Sequence, residues 1–76
     1  MIIPMQFNSL EELYQLQKLA SKVNEAVYVH APDNSIMVDA RSFIGLFTLD
    51  FTKPVNVVTD SEYVARKLGV AAGARG

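Results

Sequence analysis

Hydrophobic positions in the first third of the chain change from the spacing of a strand to that of a helix. Residues 1–7 are apolar at five positions and predict a strand, in which Pro4 indicates a sheet edge or an outward-facing position. Residues 10–23 then carry apolar side chains three or four positions apart, which predicts a helix with one buried face. The stripe consists of Leu13, Leu16, Ala20 and Val23.

The rest of the chain predicts a hairpin, a short helix, a strand and a last helix. The hairpin covers residues 26–38, the short helix 42–49 and the strand 55–58, and the last helix begins at about 61 with Gly69 as its C-cap. The order is therefore β-α-β-β-α-β-α. We predict an α+β open-faced sandwich, in which helices cover one face of a four-stranded, mostly antiparallel sheet.

Polar residues before each helix predict where it begins. Ser9 and Glu12 match a capping box, in which the serine accepts from the Glu12 amide and the carboxylate reaches back. Ser42 is the expected N-cap of the short helix, and Asp60 or Ser61 that of the last one.

Composition limits the kinds of protein that this chain can be. Its 76 residues predict one domain over 1–70 with a flexible tail at 71–76, and the absence of cysteine excludes disulfides and thiolate chemistry. A net charge of -1 without a basic run argues against nucleic-acid binding. The apolar runs are too short to cross a membrane, and residues 1–4 lack the basic start of a signal peptide. We expect a cytoplasmic protein.

Few residues offer catalytic or metal-binding chemistry. His30 is the single histidine, and it lies within the predicted hairpin, where a surface strand residue is the plainer interpretation. No glycine-rich phosphate loop is present, and we expect no cofactor. The aspartates are too dispersed to predict a metal site, and each is read as a turn or cap residue; they are Asp33, Asp39, Asp50 and Asp60.

The short helix is apolar on nearly all sides. Successive positions 100° apart cover the whole circumference, so its large side chains cannot all face one core. Leu46 and Leu49 have the spacing of inward-facing residues, which leaves Phe43, Ile44 and Phe47 as a candidate exposed patch for a protein partner. The alternative is that neighbouring loops or the tail cover these side chains.

The residues around this helix resemble a known family. Val-Asp-Ala-Arg-Ser-Phe-Ile-Gly-Leu-Phe-Thr-Leu at 38–49, followed by Lys-Pro-Val at 53–55, resembles the middle of HPr, the small phosphocarrier family of the bacterial sugar phosphotransferase system. The similarity covers about residues 20–58. It implies the open-faced sandwich already predicted, although ferredoxin-like modules share much of that element order.

The start of the chain departs from the family. The phosphocarrier motif, Gly-apolar-His-Ala-Arg-Pro, is absent. An ungapped alignment puts Ser9 at the histidine, Glu11 at the arginine and Glu12 at the proline, whereas an alignment of first strand to first strand removes the histidine loop altogether. A carboxylate there would repel a phosphoryl group. The sequence therefore predicts a non-catalytic member and not an enzyme.

The resemblance also suggests roles for the short helix. Ser42 falls on the serine that a dedicated kinase phosphorylates in Gram-positive members, and Phe43, Ile44 and Phe47 fall on exposed apolar positions that contact partners there. The resulting hypothesis is a regulatory or adaptor module that binds a phosphotransferase-system protein or a transcriptional regulator. Three alternatives stay open: a phosphotransferase-system component regulated through Ser42, a true phosphocarrier using His30, and a structural domain that forms a homodimer.

Overall fold

The strands form one antiparallel sheet, as predicted. The structure, a computed structural model, describes residues 1–71. Its strands are β1 (Ile2–Met5), β2 (Val27–His30), β3 (Met37–Asp39) and β4 (Val55–Thr59), in the spatial order β1-β4-β2-β3. Every neighbouring pair is antiparallel. The α+β class and the four-stranded sheet are thereby confirmed.

Three helices separate and follow the strands in the predicted order. They are α1 (Leu10–Ser21), α2 (Phe43–Leu46) and α3 (Glu62–Ala71). α1 ends two residues before the predicted limit. α2 is a single turn instead of two, and the chain continues after it in tighter turns, with the Thr48 amide donating to the Gly45 carbonyl and the Leu49 amide to the Leu46 carbonyl.

The predicted caps hold the helix starts in place. Ser9 Oγ accepts from the Glu12 amide at 3.2 Å, while Glu12 Oε1 accepts from the Asn8 amide at 2.7 Å. In a standard capping box the carboxylate would accept from the amide of the cap residue, Ser9. Here it accepts instead from the amide of the residue before it, Asn8. Of the two candidates for α3, Ser61 is the cap, because its Oγ accepts from the Val64 amide at 3.1 Å.

The predicted C-cap at Gly69 is wrong. α3 continues through this residue to Ala71, so Gly69 lies inside the helix. A glycine there lowers helix propensity by about 1 kcal/mol, which is not enough to end a helix that is anchored by buried side chains. The predicted tail began at Ala71, which belongs to α3; residues 72–76 lie outside the described part.

The core lies between the helices and one face of the sheet. Alternate residues of the two central strands face it and are almost completely buried: Val27, Val29, Val55 and Val57. The helices contribute the other side of the core, chiefly Leu13, Leu16, Ala20, Leu46, Val64 and Leu68. Strand residues whose side chains point the other way are exposed on the opposite face of the sheet, among them Ile2, Tyr28 and Met37. Helices therefore cover one face, as the sequence predicted.

Pro4 lies in β1 at the edge of the sheet, as its missing N–H requires. Met1 and Thr59 exchange two backbone hydrogen bonds, of 2.8 and 3.0 Å. In an antiparallel pair such bonds recur at every second residue, so the backbone N–H and C=O of Ile3 also point towards β4. The backbone nitrogen of Pro4, one residue further on, points away from β4. The proline consequently costs the sheet no hydrogen bond.

Candidate protein-interaction site

α2 buries one side and exposes the other. Leu46 is completely buried and Leu49 is 7% exposed, which confirms that both face inward. Ser42 Oγ accepts from the Gly45 amide at 3.1 Å and begins the turn, while the Ser42 side chain stays at the surface. On the outer side, Ile44 is 82% and Phe47 56% exposed. The anchoring leucines thus hold two large apolar side chains in solvent.

Phe43 differs from its two neighbours, because it is only partly exposed. Its ring packs edge-to-face against Phe47 at a centroid distance of 5.0 Å and against Tyr14 of α1 at 6.0 Å. Phe43 also contacts the core. The sequence grouped it with the exposed positions, but the structure places it as the link between α2 and α1.

α1 adds two exposed apolar residues that sequence reasoning missed. Leu10 is 62% and Tyr14 49% exposed. The two are four positions apart, off the buried stripe of α1, and this spacing puts them on one side of the helix. That signal was present in the sequence, but it could not show that this side borders α2. We call the set Leu10, Tyr14, Phe43, Ile44 and Phe47 the helix patch.

The start of α2 lies beside the second half of α1. Gln17 Nε2 donates to the Arg41 carbonyl at 3.4 Å, immediately before α2 begins. At the other end, Leu10 and Phe47 line an open groove together with Phe51. The segment after α2 is fixed to the loop that precedes α1 by the hydrogen bond from Gln6 Nε2 to the Phe51 carbonyl at 2.8 Å. The two helices therefore run side by side in opposite directions.

Charged residues border the helix patch at its two ends. Glu11 lies in the first turn of α1 and its Oε2 accepts from Gln15 Nε2 at 3.1 Å. In the last turn, Lys18 Nζ lies 5.4 Å from the centroid of the Tyr14 ring, within the range of a cation–π contact. Arg41, near this end, pairs with Asp39 at 3.5 Å. Both ends are solvent-exposed, so these charges are available to a partner.

His30 lies on the other side of the sheet. It belongs to β2 and shares the open face with Tyr28, away from the helices. Its Nδ1 is 3.3 Å from Asn34 Oδ1, and its Nε2 is covered and has no hydrogen-bond partner within residues 1–71. An imidazole with one nitrogen engaged and the other covered is poorly presented to a phosphoryl donor.

Aspartates in the described loops hold turns. Asp33 Oδ1 accepts from the Ser35 amide, and Asp50 Oδ1 accepts from both the amide and the hydroxyl of Thr52. Hydrogen bonding by the side chain and amide of Ser35 at Asp33, and by those of Thr52 at Asp50, favours the carboxylate, so the pKa of each aspartate lies below the ordinary 3.8. Within residues 1–71, no three side chains among His, Cys, Asp and Glu come together to hold a metal ion.

The chain is thus a small α+β open-faced sandwich with an exposed apolar patch on its helical layer. Comparisons with protein-family models, curated proteins and solved structures find no match, so the resemblance to HPr depends on the residues of this chain alone. None of the helices in the described 71 residues has the length and apolar character needed to cross a membrane.

Proposed function

We propose that this protein is a non-catalytic interaction module that binds a protein partner through the helix patch. The observation that carries the proposal is the 82% exposure of Ile44, on the same short helix as Phe43 and Phe47, whose rings pack together and against Tyr14. Exposed apolar side chains that touch one another commonly mark a contact with another protein. Two phenylalanines and a tyrosine supply the rigid aromatic surface that anchors many such contacts.

The start of α1 supports a non-catalytic role. In the ungapped alignment, this is where the phosphocarrier family has its histidine motif. Here the amide groups that would bind a phosphoryl group are occupied by side chains of the protein itself, since Ser9 Oγ holds the Glu12 amide and Glu12 Oε1 holds the Asn8 amide. Glu11 adds a negative charge at the same place. An incoming phosphate would have to displace these bonds and overcome the repulsion.

A regulatory role related to the sugar phosphotransferase system is the finer part of the proposal. It is supported by the residue pattern at 38–55, and the partner would be a protein of that system or a transcriptional regulator. Ser42 is exposed and borders Phe43, so a phosphate on its hydroxyl would add about two negative charges beside the helix patch. Such a charge next to an apolar contact would weaken it.

Site-specific crosslinking tests the proposal. A photoreactive amino acid placed at Ile44 should crosslink to a partner in the native cell, whereas the same group at Met37 should not. Met37 is a matched control, because it is 60% exposed and apolar but lies on the open face of the sheet. The crosslink at position 44 should disappear when Phe47→Ser is added, provided that thermal unfolding shows the variant to be folded.

The same crosslinking experiment can also contradict the proposal. Equal crosslinking at the two positions would indicate nonspecific capture by apolar surfaces and would contradict the proposal. Absence of any crosslink at position 44, with robust crosslinking at position 37, would move the interaction site to the sheet face.

A further inference from the structure

The two ends of the helix patch carry opposite charges, so the surface is complementary in charge to a copy of itself turned end to end. Glu11 and Lys18 are seven residues apart on α1, close to two full turns, so both point the same way and stand about 10 Å apart along the axis. This row is exposed and lies next to Tyr14 on the side of α1 that faces away from α2, where Glu11 borders a groove with Gln15 and Leu19. One end of the surface is therefore acidic and the other basic, with apolar side chains between them.

Further basic residues reinforce this division. Lys22, the C-cap of α1, lies at the basic end. Arg41 is also there, but its pairing with Asp39 leaves the lysines as the main source of positive charge.

We propose that the partner of the helix patch is a second copy of this chain, with the two α1 helices antiparallel and Glu11 of each copy facing Lys18 of the other. This inference depends on the proposed function of the patch. A twofold axis that passes between residues 14 and 15 creates two equivalent pairs, each of Glu11 from one copy and Lys18 from the other. The same axis brings the two Tyr14 side chains close together. Any parallel arrangement would instead place like charges together.

The size of the surface predicts a weak dimer. Four of the five side chains are exposed by roughly half or more and Phe43 by less, so that together they offer on the order of 400–500 Å² per copy. The total, about 900 Å², falls in the class of weak and transient interfaces. Dissociation constants in the micromolar range or weaker are therefore expected.

Charge exchange tests this arrangement. Sedimentation velocity of the full chain, from about 10 µM to about 1 mM, should show a monomer–dimer equilibrium. Glu11→Lys and Lys18→Glu should each weaken dimerisation by about tenfold, because every dimer then contains two like-charged pairs. The double variant should restore association to within about threefold of the original.

Two further variants serve as controls. Glu25→Lys makes the same charge change in the exposed segment after α1 and should leave dimerisation unchanged. Ile44→Ser should abolish dimerisation while the protein stays folded. Circular dichroism and thermal unfolding of each variant verify the fold.

The possible results distinguish this inference from the proposed function. A protein that stays monomeric at about 1 mM, but crosslinks to another protein through position 44, would overturn the dimer and keep the patch as an interaction site. Dimerisation that Ile44→Ser abolishes but the charge variants do not change would overturn the antiparallel arrangement. Dimerisation that survives Ile44→Ser would place the contact elsewhere and overturn the inference entirely.

Discussion

Replacing Ile44 by serine should remove a binding residue at almost no cost to the fold. Ile44 is 82% exposed, which leaves about a fifth of the side chain covered. Complete burial of an isoleucine contributes roughly 1.5–3 kcal/mol, so about 0.3–0.6 kcal/mol is lost on removal. Serine and isoleucine have similar helix propensities, which adds little to this value. The expected destabilisation is about 0.5 kcal/mol.

Two neighbouring residues calibrate this expectation. Leu46 is fully buried, and Leu46→Ala should cost about 2–5 kcal/mol through lost burial and the cavity left behind. Phe47 is intermediate, because it is 56% exposed but packs edge-to-face on Phe43. Phe47→Ser should therefore cost roughly 1–2.5 kcal/mol.

Urea and thermal unfolding of the three variants measure these differences. For a domain of this size, 1 kcal/mol shifts Tm by about 4–8 °C. Ile44→Ser should therefore lower Tm by less than about 5 °C, and Leu46→Ala by 10 °C or more. Comparable destabilisation by the two substitutions would refute the reasoning, because Ile44 would then belong to the core and could not anchor a partner.

Four more predictions concern Ser42, His30 and Asp50. Ser42→Ala should lower unfolding free energy by about 1 kcal/mol through loss of the N-cap, and Ser42→Asp should recover most of it in the same urea titration, since aspartate caps equally well. His30→Ala should change stability by no more than about 1 kcal/mol, because the ring is half-buried and its Nδ1 interacts only with Asn34. The unaltered protein should gain no phosphoryl group in intact-mass analysis after incubation with phosphoenolpyruvate and the general phosphotransferase enzyme; a gain that His30→Ala abolishes would restore the phosphocarrier alternative. The pKa of Asp50 is lowered in the fold, so ionised Asp50 stabilises the folded protein. This contribution is complete above the ordinary pKa of 3.8 and is lost as the pH falls through the folded-state pKa. Asp50→Asn should therefore flatten the acid limb of a stability–pH curve. An unchanged acid limb would count against that role.

Local rules were enough to predict most of the fold. The apolar stripe of α1, the capping serines before α1 and α2, and the edge position of Pro4 each depend on residues close together in the chain. Gly69 shows where such rules fail, since a glycine ends a helix only if the chain there adopts a different conformation. In α3, buried residues such as Val64 and Leu68 keep the helix going past it.

The helix patch could be predicted only in part. The circumference of a short helix limits how many large side chains it can bury, and this predicted the exposure of Ile44 and Phe47. The contributions of Leu10 and Tyr14, and the half-buried position of Phe43, depend on α1 and α2 lying side by side. That contact joins residues about thirty positions apart, and no local pattern in the chain encodes it.

The edges of the sheet limit how copies of this protein can assemble. An edge strand with free N–H and C=O groups invites another strand, and repeated addition of strands leads to fibres. Along β1 the outward position of Pro4 interrupts that row of donors. β3 is only three residues long, and the Asp39 carbonyl at its end already accepts from the Ser42 amide at 2.9 Å. Growth by strand addition is thus disfavoured at both edges, so a concentrated solution of this chain should not form fibres in which the sheets of successive copies join edge to edge.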